Sequence, residues 1–100
     1  MKDNLKYLGL AKKAGMLAVG ADDALAAVKS RKAKAIVTAS DTSERTMQKA
    51  YESAISSGVK YVATEYTKFE LGAVIGRGPV GVLAILDEGL AETFMGGEAK

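Results

Sequence analysis

The sequence contains neither cysteine nor histidine, and only one of its 100 residues is a proline. Without cysteine the chain can form no disulfide bond and no thiolate metal site. Without histidine it lacks the usual general base and the commonest metal ligand, so a nucleophilic serine has no partner base to activate it. We therefore predict a binding protein rather than an enzyme, with no cofactor and no bound metal.

Long apolar runs are also missing. The longest run, Val80 to Leu86, is far too short to span a bilayer, and residues 1–6 lack the uninterrupted apolar core of a signal peptide. The remaining composition, 48% hydrophobic and 26% charged, is typical of a soluble domain with a sizeable core. We predict one cytoplasmic domain over residues 1–100, which is a monomer and binds neither a membrane nor a small-molecule substrate.

Charges are divided unevenly between the two halves of the chain. Residues 1–50 contain ten Lys or Arg and five acids, whereas residues 51–100 contain four and seven. This asymmetry indicates either a basic surface that meets a polyanion or a chance fluctuation in a small protein. The four cations within Lys29–Lys34 exceed what a helix end requires and favour polyanion binding. Lys12 and Lys13, at the end of the first predicted helix, suit either the helix dipole or a phosphate.

Apolar periodicity and turn residues predict five helices and four strands that alternate along the chain. The helices are predicted at 3–14, 21–30, 44–57, 67–75 and 90–95, and the strands at 16–19, 35–39, 59–64 and 80–86. Thr67 and Glu70 match a capping box at the start of the fourth helix. The alternation predicts a three-layer α/β/α sandwich around a central, roughly four-stranded mixed sheet whose strands are largely parallel.

The stretch from Val19 to Arg31 passes from a short apolar strand through Gly20 directly into the second helix. Glycine permits a tight turn or a close approach, and the first helical turn presents unpaired backbone N–H groups at the positive end of the helix dipole. Such a helix start can hold an anion or enter a nucleic-acid groove. Asp22 and Asp23 favour the simpler alternative, because acids in a first turn stabilise the helix itself.

Several short motifs follow one another in a characteristic order over residues 3–94. They are Gly20-x-Asp22-Asp23, then Ala33-Lys34-Ala35-Ile36-Val37-x-Ala39-x-Asp41, then Leu71-Gly72 before Gly76, and finally the Val82–Ile85 strand. Their order and spacing resemble the family of ribosomal proteins that bind kink-turn RNA, most closely its small bacterial members. The resemblance implies an α/β/α sandwich that binds structured RNA, kink-turn-like or ribosomal, without catalysis.

The resemblance also implies which residues contact RNA. In this family the loop before the second helix and the first turn of that helix enter the widened groove beside tandem sheared G·A pairs, with the signature Gly-x-Asn-Glu-x-x-Lys. By position, Gly20 matches the glycine, Asp22 the asparagine, Asp23 the glutamate and Ala26 the lysine. A second family contact, the apolar loop before the last strand, falls on Gly78-Pro79-Val80.

Two of these positions depart from the family pattern. An ionised Asp22 can only accept hydrogen bonds where asparagine also donates, and Ala26 removes a cation whose contact with RNA is worth on the order of 1.5–3 kcal/mol. The departures favour the alternative that the chain is a protein-interaction module on the same fold. For RNA binding, we expect basic side chains to gather around the start of the second helix. The predicted RNA-binding residues are Lys12, Lys13, Gly20, Ala21, Asp22, Asp23, Lys29, Arg31, Lys32, Gly78, Pro79 and Val80.

Overall fold

The computed structural model describes residues 4–98, so the first residue of the first predicted helix and both ends of the predicted domain lie outside the described residues. The helices are α1 Leu5–Lys13, α2 Ala21–Lys29, α3 Glu44–Ser57, α4 Lys68–Val74 and α5 Glu88–Glu98, and the strands are β1 Leu17–Val19, β2 Ala35–Thr38, β3 Lys60–Ala63 and β4 Val82–Ile85. The predicted alternation of helices and strands is confirmed. No helix within the described range is long and apolar enough to cross a membrane.

Local signals set several helix ends. The predicted capping box is confirmed, because the Thr67 hydroxyl accepts the Glu70 N–H at 3.1 Å and the Glu70 carboxylate accepts the Thr67 N–H at 2.8 Å. The last helix, α5, begins two residues before its predicted start. Asp87 explains the difference, since its carboxylate accepts the N–H of Leu90 at 2.9 Å and so caps the first turn.

Helices cover both faces of the sheet, which confirms the α/β/α sandwich. Alternate strand residues point to opposite faces, so Ile36 packs beneath α2 and α3 whereas its neighbour Val37 packs beneath α1, α4 and α5. The first layer is built largely from alanines on the two helices. The second layer contains larger side chains, and Leu8, Leu71 and Phe94 are fully buried there. These two apolar layers fix the position of every helix end discussed below.

The strand order is β1-β4-β2-β3, and of the three hydrogen-bonded strand pairs in the described residues only β2 with β3 is parallel. Strand β4 is antiparallel to both β1 and β2, so the prediction of a mixed sheet is confirmed and that of largely parallel strands is wrong. The chain returns after α4 to the point where that helix began, and the Val80 N–H donates to the Lys68 carbonyl oxygen at 3.0 Å. Strand β4 therefore starts at the edge where β2 and β3 end.

This topology gives the sheet two distinct ends. At the first, which we call the Gly20 end, β1, β2 and β3 end, β4 begins, and α2, α3 and α4 start. At the second, the Arg31 end, β1, β2 and β3 begin, β4 ends, and α1, α2 and α3 finish. The two ends therefore carry opposite ends of the dipoles of α2 and α3, whereas α5 starts at the Arg31 end.

Candidate functional site

Gly20 connects β1 to α2 and is held against β4. Its N–H donates to the Val82 carbonyl oxygen at 2.9 Å, and its own carbonyl accepts the N–H of Ala24, which closes the first helical turn. Its φ of +95° is a conformation that residues with a Cβ rarely adopt. No side chain caps α2, in contrast to the serine and threonine caps of α3 and α4. Backbone hydrogen bonds, without a side-chain cap, therefore hold the start of α2 beside β4.

The loop before β4 is anchored to α4 at its start. Gly72 permits this contact, since a Cβ at that position would lie 1.9 Å from the carbonyl oxygen of Gly78. The Arg77 N–H also donates to the Gly72 carbonyl at 2.8 Å. Because these contacts are between backbone atoms, the path of the loop tolerates little displacement.

The end of this loop is anchored to the segment after β2. The Gly81 carbonyl oxygen accepts both the Ala39 N–H, at 2.9 Å, and the Thr42 hydroxyl, at 2.8 Å. Val80 is 5% exposed, so its side chain belongs to the core and is not available for the apolar contact predicted there. Gly78 and Pro79 are exposed.

Seven of the predicted site residues lie together at this end of the molecule: Gly20, Ala21, Asp22, Asp23, Gly78, Pro79 and Val80. Asp22 and Asp23 are exposed in the first turn of α2, and Ala26 is exposed one turn further along. The bond between Gly20 and Val82 places this turn next to the start of β4. The two segments that the resemblance implicates are thus neighbours in space, although about 55 residues separate them in the sequence.

The five predicted cations belong to chain segments at the opposite end of the sheet. Lys12 and Lys13 occupy the last turn of α1, Lys29 ends α2, and Arg31 and Lys32 follow it, all at the Arg31 end. The expectation that basic side chains gather around the start of α2 stays a prediction, since Lys12 and Lys32 line a hollow with Asp23 and Lys29 lines another with Asp22. A helix of nine residues is about 13.5 Å long, so cations that follow α2 are separated from its start by the length of the helix.

Charge is therefore distributed unequally along the strand axis. The acids at the Gly20 end are Asp22, Asp23, Asp41, Glu44, Glu65 and Glu70, and the cations there are Arg45 and Lys68, with Arg77 directly before the Gly78–Val80 loop. The cations at the Arg31 end are Lys12, Lys13, Lys29, Arg31, Lys32, Lys34 and Lys60, and the acids are Asp87, Glu88 and Glu92. Electrostatic attraction for a polyanion is thus expected at the Arg31 end.

Two open hollows concentrate these cations. One has a volume of about 640 Å³ and is lined by Lys29, Arg31, Lys34 and Lys60, with Glu88 and Glu92 on the α5 side. The other has a volume of about 580 Å³, follows the outer edge of β1, and is lined by Lys12, Lys32, Arg77 and Asp23. Lys60 and Arg77 were absent from the predicted site. The sequence gives no local indication of their position, because Lys60 reaches its hollow through strand pairing and Arg77 through loop packing.

Side chains suited to holding a metal do not cluster in the part of the chain that the structure describes. Residues 4–98 contain no group of three or more Asp or Glu side chains that could hold a metal ion, and the sequence has no histidine or cysteine. Two carboxylates at the Gly20 end accept hydrogen bonds from backbone N–H groups instead. Asp41 accepts the N–H of Lys68 at 2.8 Å, and Glu70 completes the capping box. This end of the molecule therefore presents backbone groups and exposed acids.

The fold and these surfaces define a small α/β/α binding protein, and comparison with known proteins identifies its family. Residues 2–95 match the sequence model of the Ribosomal protein L7Ae/L30e/S12e/Gadd45 family, and the chain belongs to this family. The large ribosomal subunit protein eL30 of Aeropyrum pernix is 38% identical over 78 residues, which cover 77% of this chain and 78% of the relative. The predicted family is confirmed. The prediction that the chain is not an enzyme is confirmed as well, because this is a family of ribosomal proteins.

Solved structures share the fold. A protein of unknown function from Bacillus halodurans superposes with a TM-score of 0.93 at 22% identity, with 100% of both chains covered. The 15.5kD RNA binding protein of Giardia lamblia superposes with a TM-score of 0.81 at 24% identity, covering 95% of this chain and 84% of that one. At such identities the likeness concerns the fold.

Proposed function

We propose that this protein binds structured RNA in the cytoplasm, and that the start of α2 together with the Gly78–Val80 loop recognises a kink-turn-like fold. The observation that carries the proposal is the 2.9 Å hydrogen bond from the Gly20 N–H to the Val82 carbonyl, which holds these two segments side by side. Membership in a family of ribosomal proteins supports an RNA partner. So does the structural likeness to a protein named for RNA binding.

The chemistry of the Gly20 end favours contact with bases over contact with phosphates. Asp22 and Asp23 are exposed and, when ionised, only accept hydrogen bonds, so they suit the amino groups on base edges. The same acids repel phosphate. The backbone N–H groups in the first turn of α2, which no side chain caps, supply donors at the same place. A widened groove with exposed base edges satisfies both sets of groups.

The family signature predicts how to strengthen this contact. The double variant Asp22→Asn/Ala26→Lys restores an amide that both donates and accepts and adds a cation on the exposed face of α2. We expect its affinity for a kink-turn RNA to exceed that of the wild-type protein by about tenfold to a hundredfold. The measurement is a fluorescence-anisotropy titration at fixed salt, repeated with an RNA in which Watson–Crick pairs replace the tandem G·A pairs.

A control variant separates recognition from simple attraction. Glu92→Gln/Ala14→Lys makes the same change of net charge at exposed positions of the Arg31 end. It is expected to raise the affinity for both RNAs alike, whereas the Asp22→Asn/Ala26→Lys variant raises the affinity for the kink-turn RNA selectively. Equal gains on both RNAs for the two variants would contradict kink-turn recognition by α2.

One observation favours a second candidate function, a protein-interaction module that has lost RNA recognition. The exposed start of α2 is acidic, and the position of the family lysine is an alanine. On this alternative, neither the wild-type protein nor the Asp22→Asn/Ala26→Lys variant binds structured RNA at low salt. Retention of a salt-sensitive RNA complex by the wild-type protein excludes it.

A further inference from the structure

Three separate segments bring four cations to one hollow at the Arg31 end. Lys29 ends α2, Arg31 and Lys34 lie in the connection to β2, and Lys60 begins β3. The parallel register pairs Ala35 with Lys60, so Lys34, which precedes Ala35, lies diagonally across from Lys60 at the start of the two strands, and both line the hollow. The hollow between them and α5 has a volume of about 640 Å³. We call these four side chains the far basic surface.

Helix dipoles account for only part of this charge. Of the four cations, Lys29 alone lies in the last turn of a helix, and α3, which ends beside the hollow, has no basic residue in its last turn. Glu88 and Glu92 line the α5 side. Among the residues that the structure describes, no carboxylate forms an ion pair with any of the four cations. Positive charge therefore remains available to a ligand from outside the molecule.

The backbone of Arg31 gives an independent indication. Arg31 has a φ of +62° and is the one residue other than glycine with a positive φ in the described chain. It occupies the turn that terminates α2, and the corresponding turns after α1 and α3 contain Gly15 at +72° and Gly58 at +69°. Glycine adopts this conformation without steric cost, whereas arginine does not. An arginine in a position suited to glycine indicates a function for its side chain.

We propose that the far basic surface binds the sugar–phosphate backbone of a second RNA segment, a double helix, independently of the contact at the Gly20 end. A helical RNA presents successive phosphates along each strand, which suits four cations spread over an open hollow better than a single small anion does. The longest dimension of the protein is 31 Å, and the two surfaces lie at opposite ends of the sheet. One protein molecule thus bridges two RNA segments within that distance.

The first experiment measures binding to a plain RNA duplex that has no kink-turn. The variant Lys34→Gln/Lys60→Gln removes two of the four cations that line the hollow, and we expect about a tenfold loss of affinity at low salt. The slope of log affinity against log salt concentration is expected to decrease by about two, one for each phosphate contact removed. Arg45→Gln/Lys49→Gln is the matched control, since it removes two exposed cations from α3 outside the hollow. Far-ultraviolet circular dichroism verifies that both variants are folded.

A second experiment tests bridging and separates this inference from the proposed function. A kink-turn RNA and a plain duplex, each with its own fluorophore, are mixed with the protein, and energy transfer between them reports a ternary complex. The wild-type protein is expected to form it, and Lys34→Gln/Lys60→Gln is expected to retain only the kink-turn RNA. If this variant binds the duplex as tightly as the wild-type protein, or if the control loses as much affinity, the far basic surface is not an RNA site. If the wild-type protein binds the plain duplex but not the kink-turn RNA, the function proposed for the Gly20 end is overturned instead.

Discussion

The two ends of the sheet differ in how many of their charged side chains stabilise the ends of helices. At the Gly20 end, Asp41 and Glu70 accept backbone N–H groups and Glu44 lies in the first turn of α3, so most of the acids there stabilise helix starts. At the Arg31 end, Arg31, Lys34 and Lys60 lie outside the last turns of the helices. The comparison shows that local stabilisation explains most of one charge cluster and leaves much of the other unexplained. It therefore favours base contacts at the first end and phosphate contacts at the second.

The largest loss of stability is expected at Gly72, whose lack of a side chain lets the loop before β4 pack against α4. In Gly72→Ala the new Cβ would lie 1.9 Å from the Gly78 carbonyl oxygen, so either α4 or the loop before β4 must move. We expect the free energy of unfolding to fall by about 3 kcal/mol, at the upper end of overpacking effects. Because the loop is displaced, affinity for a kink-turn RNA should fall more than affinity for a plain duplex. Chemical denaturation and the two RNA titrations measure both effects.

Gly9→Ala is the control for this variant. Gly9 lies within α1, and its nearest neighbour for an added Cβ is the Val74 carbonyl oxygen at 3.4 Å, which is close to ordinary contact. Alanine has the higher helix propensity, by up to about 1 kcal/mol. Unchanged or increased stability is expected for Gly9→Ala. A comparable loss for the two variants would mean that the contact between Gly72 and Gly78 does not determine the position of the loop.

The next largest effect concerns the anchor between the loop and the segment after β2. Thr42→Val keeps the shape of the side chain and removes the hydroxyl that donates to the Gly81 carbonyl at 2.8 Å. That carbonyl retains the N–H of Ala39, so we expect a loss of about 1 kcal/mol. Thr93→Val removes an exposed hydroxyl that bonds within α5, and its stability should change by less than about 0.5 kcal/mol. If the two variants lower the thermal unfolding temperature equally, the bond between Thr42 and Gly81 contributes no more to stability than an exposed bond within a helix.

Local sequence patterns predicted the elements well and the direction of β4 poorly. The capping box at Thr67 and Glu70 and the apolar periodicities act over a few residues, so they can be recognised without tertiary structure. The direction of β4 depends on the bond between Val80 and Lys68, which forms only when the chain folds back along α4. The alternation of helices and strands predicted a parallel crossover before β4. The chain instead folds back along α4, so β4 runs antiparallel to β2.

The candidate site was partly predictable for the same reason. Gly20, Asp22 and Asp23 form one local segment, and their position at a helix start follows from the sequence around them. The cations that follow them in sequence lie at or beyond the far end of α2, because the helix carries the chain about 13.5 Å along the sheet. Lys60 could not be assigned to the far basic surface from the sequence, since only the parallel pairing of β2 with β3 brings it beside Lys34. Proximity in sequence was a poor guide to proximity in space across one helix.

The smallest expected effect distinguishes structure from function at the Arg31 end. Arg31→Gly places glycine at a φ of +62°, and we expect the free energy of unfolding to rise by about 0.5–1 kcal/mol, because relief of the left-handed strain exceeds the added entropy of the unfolded chain. Affinity for a plain RNA duplex should fall by about threefold with the loss of one exposed cation.

Gly58→Arg is the reciprocal variant, since Gly58 lines the same hollow at a φ of +69°. It is expected to lose stability and to bind the duplex more tightly, so stability and affinity change in opposite directions in both variants. If Arg31→Gly lowers stability, the arginine is retained for packing, and the argument from its backbone fails.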